Sequence, residues 1–157
     1  MNSDLQVMKY FPTALTADET LAMINRIQLS FSTKGFGLFA VEQRSDGAFL
    51  GLTGFSVPRF ESFFTPCVEI GWRYRKESWG KGFASEAAAA CIRYGFEQLG
   101  FDKIVSFTSI LNKPSEKLMQ RIGMSRVAEF DHPGIEKTSP LYRHVLYEIK
   151  KQAAFRM

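Results

Sequence analysis

Only two cysteines, Cys67 and Cys91, occur in the 157 residues, which rules out a disulfide framework. Histidine is as scarce, with His132 and His144 alone, and no His, Cys, Asp or Glu spacing suits a metal. No apolar run approaches 18 residues and no signal peptide opens the chain, so a soluble, cytoplasmic protein without a membrane partner is expected. The excess of one charge sign is small. Twenty Lys and Arg stand against sixteen Asp and Glu, a net +4 too dispersed to argue for nucleic acid. The familiar nucleotide loops are missing too, with neither G-x-x-x-x-G-K-[ST] nor G-x-G-x-x-G after a first strand. What is present is apolar surface. A composition 45% hydrophobic and 14% aromatic can bury the core of one domain spanning residues 1–157.

The pattern of the chain is mixed α/β (α+β). Thr16, with Glu19 three residues on, forms a capping box that opens a helix whose apolar face is Leu21, Ile24 and Ile27, with Leu29 nearby. The turn signal Ser45-Asp46-Gly47 joins strands 38–43 and 48–56 into a hairpin. A strand at 67–74 and a helix from Ser85 to Leu99 follow, with Gly100 at the helix C′ position. Lys103 to Ile110 reads as a strand, Asn112 to Gly123 as a helix, and 124–130 with 142–149 as an antiparallel pair. Helices on a mainly antiparallel sheet result.

The most informative stretch is Trp79-Gly80-Lys81-Gly82-Phe83-Ala84, between the strand Val68-Glu69-Ile70-Gly71-Trp72-Arg73-Tyr74 and the helix after it. Free N–H groups converge at a helix N-terminus and the helix dipole adds partial positive charge, which makes an anion site. Gly80 and Gly82 remove side chains that would hold a phosphate off the backbone. The cations Arg73, Arg75, Lys76 and Lys81 are grouped around this loop in sequence.

Together with Asn112-x-x-Ser115-x-x-Leu118-Met119-x-x-x-Gly123-Met124, this loop resembles the GCN5-related N-acetyltransferases. The W-G-K-G-F-A form, followed by Ser85-Glu86-Ala87, is similar to their Rim-type branch, which includes N-terminal acetyltransferases of ribosomal proteins. The resemblance implies acetyl-CoA as cosubstrate and a primary amine as acceptor: a protein or peptide N-terminus first, a small amine otherwise. It places the CoA pyrophosphate on Trp79, Gly80, Lys81, Gly82, Phe83 and Ala84. The pantetheine arm falls on the backbone of Trp72, Arg73 and Tyr74, with a further contact from Asn112. Family members begin with a strand and a helix ahead of the segment matching residues 3–12. The resemblance therefore implies that the first strand and most of the first helix are missing, leaving a sheet edge that favours a homodimer.

Two residues are the catalytic candidates. Glu69 is, by resemblance to relatives that carry a carboxylate on this strand, a general base acting through water or, by strand alternation, a salt-bridge partner of Arg73. Ser115 is a helix-start residue or, by resemblance, the group that protonates the departing thiolate. Many relatives place a tyrosine at the position of Met119, which has no proton to give. Asn112 reads as an N-cap, compatibly with a CoA contact. His132 and His144 are structural or basic, and Phe55, Phe60, Phe63 and Phe64 are an acceptor wall or ordinary packing. The alternative from another class is a non-catalytic CoA-binding sensor or assembly domain.

Overall fold

The structure, a computed structural model, describes residues 1–151. After a turn-rich N-terminal segment come α1 (Ala17–Lys34), β1 (Leu38–Glu42), β2 (Phe49–Ser56) and β3 (Glu69–Tyr74). A single 3-10 turn, Lys76–Ser78, leads to α2 (Phe83–Glu97), β4 (Lys103–Ser109), α3 (Lys113–Arg121), β5 (Ser125–Asp131) and β6 (Arg143–Lys150). The strands form one sheet in the order β1-β2-β3-β4-β6-β5. Neighbours are antiparallel except β3 and β4, which run parallel. The expected mixed, mainly antiparallel sheet with flanking helices is present, and β1 lies at one edge.

Strand alternation sorts side chains onto two faces. On one, Phe55, Ile70, Ile104, Val145, Tyr147 and Ile149 meet Ala88, Ile92 and Phe96 of α2 and Leu118 and Met119 of α3. Each fully buried large apolar side chain contributes about 1.5–3 kcal/mol. The other face carries Val105, Phe130 and Leu146, packed with Phe60, Phe64 and Phe107. The phenylalanines thus divide. Phe55 is core, Phe60 and Phe64 pack on the opposite face, and Phe63 is exposed.

The capping box at α1 forms as read: Thr16 Oγ1 accepts from Glu19 N (3.2 Å) and Glu19 Oε2 from Thr16 N (2.8 Å). Thr16→Ala is expected to lower unfolding free energy by about 1 kcal/mol, measured by urea denaturation. An unchanged midpoint would mean that this helix end frays outside the cooperative unit.

The apolar face assigned to α1 needs correction. Leu21, Ile24 and Leu29 are exposed, and the inward positions are Thr20, Met23, Ile27 and Phe31. Those positions recur at three- and four-residue spacing, so contact with the sheet selects a stripe rotated about 100° (one residue) from the most hydrophobic one. At α2 the helix closes on Gln98, and left-handed Gly100 (φ 71°) stands one residue beyond C′.

Candidate active site

The site starts from a defect in the sheet. β3 and β4 register only at Glu69 with Val105, where Val105 N donates to Val68 O (2.9 Å). Beyond that pair the strands diverge, which leaves N–H and C=O groups on the β4-facing edge of β3 without strand partners. A cavity of about 1010 Å³ opens at this splay and reaches both faces, touching Gly80, Gly82 and Ser115 on one side and Ser56, Glu69 and His144 on the other.

The glycine loop closes one end. Trp79, half exposed, donates its indole N–H to Tyr74 O (3.1 Å), which folds the loop back on the end of β3. Gly80 (φ 72°) and Gly82 (φ 86°) both occupy the left-handed region, and nothing lies within 4 Å of where a Cβ would stand. Gly82 is the N-cap of α2 and offers no side-chain bond to the first turn, so N–H groups there remain available to an anion. Phe83 and Ala84 form the first turn, half-buried, while Lys81 is exposed. Of the neighbouring cations, Arg73 does not join this loop as its sequence proximity suggests. Arg75 pairs with Glu77 (3.5 Å), and Arg73 projects from the opposite sheet face toward Asn2 and Phe11.

Asn112 caps α3: its Oδ1 accepts from Ser115 N (3.3 Å), and its Nδ2 donates to Thr108 Oγ1 (2.9 Å). One amide hydrogen of Asn112 remains for another acceptor. Ser115 Oγ accepts from Trp72 Nε1 (3.1 Å), so the indole fixes the oxygen while the hydroxyl proton stays free to donate. Trp72 therefore does more than pack. α3 is held on β6 by Tyr147, which donates to Glu116 Oε1 (3.0 Å) and accepts from Gln120 Nε2 (3.0 Å). Met119 is buried in the main core.

Glu69, Gly71 and Arg73 share the face away from α2. No ion pair joins Glu69 to Arg73 among the described residues, so the salt-bridge alternative is not realised. Instead Ser56 Oγ, directly across the β2–β3 ladder, donates to Glu69 Oε2 (3.0 Å). Burial pushes the Glu69 carboxyl up to about 7, partly opposed by the Ser56 hydrogen bond. Burial also holds both histidines below their ordinary value. His144, further lowered by neighbouring His132, falls to about 4. Their rings lie 4.9 Å apart, edged by Phe107 and Phe130. His132 Nδ1 accepts from Gly134 N (3.1 Å), and His144 Nδ1 faces Tyr142 O (3.3 Å). These contacts and their low pKa values fit neutral, structurally anchored rings. Both cysteines are pushed up to about 11 by burial and stay protonated thiols.

Ser56 was not foreseen as part of the site. The signal for it was the hairpin register, which sets the last residue of β2 opposite the first of β3. The cavity wall formed by Val7, Tyr10 and Phe11 carried no motif and depends on tertiary folding.

The comparisons agree with this geometry. Residues 1–125 match the family model described as Acetyltransferase (GNAT) domain. The uncharacterized N-acetyltransferase YnaD of Bacillus subtilis is 33% identical over 129 residues, covering 82% of this chain and 71% of the relative. The FsC-acetyl coenzyme A-N(2)-transacetylase of Aspergillus fumigatus is 31% identical over 170 residues, covering all of this chain and 69% of the relative. Among solved structures, a GNAT-family acetyltransferase from Bacillus anthracis superposes with a TM-score of 0.78 at 28% identity, covering 96% of this chain and 85% of the other. A splayed parallel strand pair closed by a glycine loop at a helix N-terminus is thus found in a chain that belongs to the GNAT acetyltransferase family. It is an acetyl-CoA-dependent N-acetyltransferase.

Proposed function

We propose that residues 1–157 form one catalytic domain of the Rim-type branch, acting on a primary amine, with a peptide or protein α-amine as first choice. The W-G-K-G-F-A loop and the Asn112-x-x-Ser115 motif support the branch. The pyrophosphate is bound by N–H groups at Gly80 to Ala84, with Lys81 adding a charge-assisted contact. The pantetheine arm takes the place of the missing ladder partner along Trp72, Arg73 and Tyr74, and the free amide hydrogen of Asn112 meets it. The thioester then lies in the splay between Glu69 and Ser115. The amine nitrogen attacks the thioester carbonyl carbon, and its proton passes to Glu69 directly or through water. The carbon–sulfur bond breaks, and the Ser115 hydroxyl, whose oxygen Trp72 holds, hydrogen-bonds the departing thiolate and relays to it a proton from solvent water, so the serine ends the step protonated. Holding thioester and amine together supplies much of the gain.

The observation that carries this reading is Glu69, a carboxyl at about 7 lining the cavity at the splay. A base of that strength suits an α-amine, with a pKa of about 8, better than a lysine side chain at about 10.4. With acetyl-CoA at pH 7.5, a peptide with a free α-amine is expected to release CoA thiol at least ~10 times faster per kcat/KM than its Nα-blocked counterpart bearing one lysine. A preference for the blocked lysine peptide would overturn the α-amine assignment.

A further inference from the structure

The acceptor side of the cavity holds an unpaired cation. Arg73 projects from the face that carries Glu69 and Gly71 and lines the same cavity. Its Nη1 donates to Asn2 Oδ1 (2.9 Å), and the guanidinium carbon lies 4.2 Å from the Phe11 ring centroid. No carboxylate pairs with it among the described residues. Its Nε is the one buried side-chain nitrogen or oxygen among those residues that lacks a hydrogen-bond partner. A half-buried guanidinium without a counter-ion is a costly arrangement, and buried polar atoms without partners, such as this Nε, are uncommon in folded proteins. Burial also pulls the Arg73 pKa down, as expected for a cation short of compensation.

The rest of the lining has the same sign. Glu69 is the single carboxylate there, against Lys9, Arg73, Lys117 and Arg121. Lys117 and Arg121 belong to α3, beside the glycine loop, where phosphates are expected. Lys9 and Arg73 have no such use. Lys9 Nζ lies 5.4 Å from the Tyr10 ring in the same N-terminal segment that covers Arg73. A polycationic amine entering here would meet one carboxylate and two cations.

We propose that the acceptor carries a carboxylate apart from its reactive amine, and that Arg73 binds it. The guanidinium fork is suited to carboxylates, and this ligand would give Nε the partner it lacks. Glu69 and Arg73 lie four residues apart on one strand, roughly 13 Å by strand rise. The carboxylate is therefore separated from the amine by several bonds, as in a peptide with an acidic residue near its N-terminus or an ω-amino acid. The proposal rests on the amine-acetylation reading above and narrows its substrate.

The test is thiol release from acetyl-CoA with Ala-Glu-Ala amide, its Gln and Lys counterparts, spermidine, and an ω-amino acid with its amide. The wild-type enzyme is expected to favour carboxylate-bearing acceptors at least ~10-fold in kcat/KM. A preference seen with the peptide or with the ω-amino acid identifies which source the site takes. Arg73→Gln should erase the preference by raising the KM of carboxylate-bearing acceptors at least ~10-fold more than that of their neutral counterparts. Arg73→Lys should keep part of it, and thermal melting of each variant verifies folding. Preference for spermidine or the Lys peptide would overturn the proposal, as would an Arg73→Gln loss equal for all acceptors. Equal turnover of all amines would refute the carboxylate assignment and leave amine acetylation standing, whereas no turnover with any amine would refute both.

Discussion

Glu69→Gln is expected to lower kcat for amine acetylation by about 10²–10⁴, the usual contribution of a positioned general base, with the acetyl-CoA KM unchanged. The substitution keeps side-chain volume and removes the site that accepts the proton. The pH profile carries the sharper signature. The base works only when ionised, and burial has pushed its pKa from 4.5 to about 7, so wild-type kcat/KM should rise with pH through a limb near 7 in addition to the acceptor amine's own limb at about 8, which both enzymes share. The limb near 7 should vanish in Glu69→Gln. The stability consequence has the opposite sign. Between pH 4.5 and about 7 the folded carboxyl binds more protons than the unfolded one, so this group's contribution falls as pH rises through that window. The variant should lose that decline. His144 produces the reverse slope between about 4 and 6.5, because its lowered pKa makes stability fall as pH drops. The Glu69 effect is therefore read as the difference between wild type and variant. A limb near 7 retained in the variant would assign the base elsewhere.

Gly82→Asp should abolish productive CoA binding while sparing the fold. Gly82 sits at φ 86°, in the left-handed region that aspartate tolerates better than most residues, and no atom lies within 4 Å of its missing Cβ. The positive φ adds some backbone strain, which aspartate bears at less cost than a β-branched residue would. The same side chain puts a carboxylate where the pyrophosphate must approach the first turn of α2. Like-charge juxtaposition costs several kcal/mol, so the acetyl-CoA dissociation constant should rise at least ~100-fold, measured by calorimetry. The variant's melting temperature without ligand should lie within a few degrees of wild type. Unchanged CoA affinity would show that the loop is an ordinary turn.

Local chemistry was legible in the sequence, and tertiary chemistry was not. The capping box at Thr16, the hairpin around Asp46-Gly47 and the Asn112 cap each depend on residues within a few positions, and each forms as read. The strand–loop–helix at 69–97 follows from the same local signals. The face of α1 followed only at Ile27, because tertiary packing turned Met23 and Phe31 inward in place of Leu21 and Ile24. The insertion of β6 between β4 and β5 did not follow, since strand order is set by long-range pairing, whereas the splay of β3 from β4 was implied by the family resemblance alone. At the site, the alternation of Glu69 and Arg73 was correct, yet their pairing was not. Ser56 and Asn2 supply the contacts instead, and both lie on other segments of the chain.

The most direct measurement is the structure of the CoA complex by crystallography. The pyrophosphate is expected on the N–H groups of Gly80 to Ala84, the pantetheine along the β4-facing edge of β3, and the sulfur between Glu69 and the Ser115 hydroxyl. CoA bound outside the splay, or a sulfur remote from both side chains, would contradict this placement.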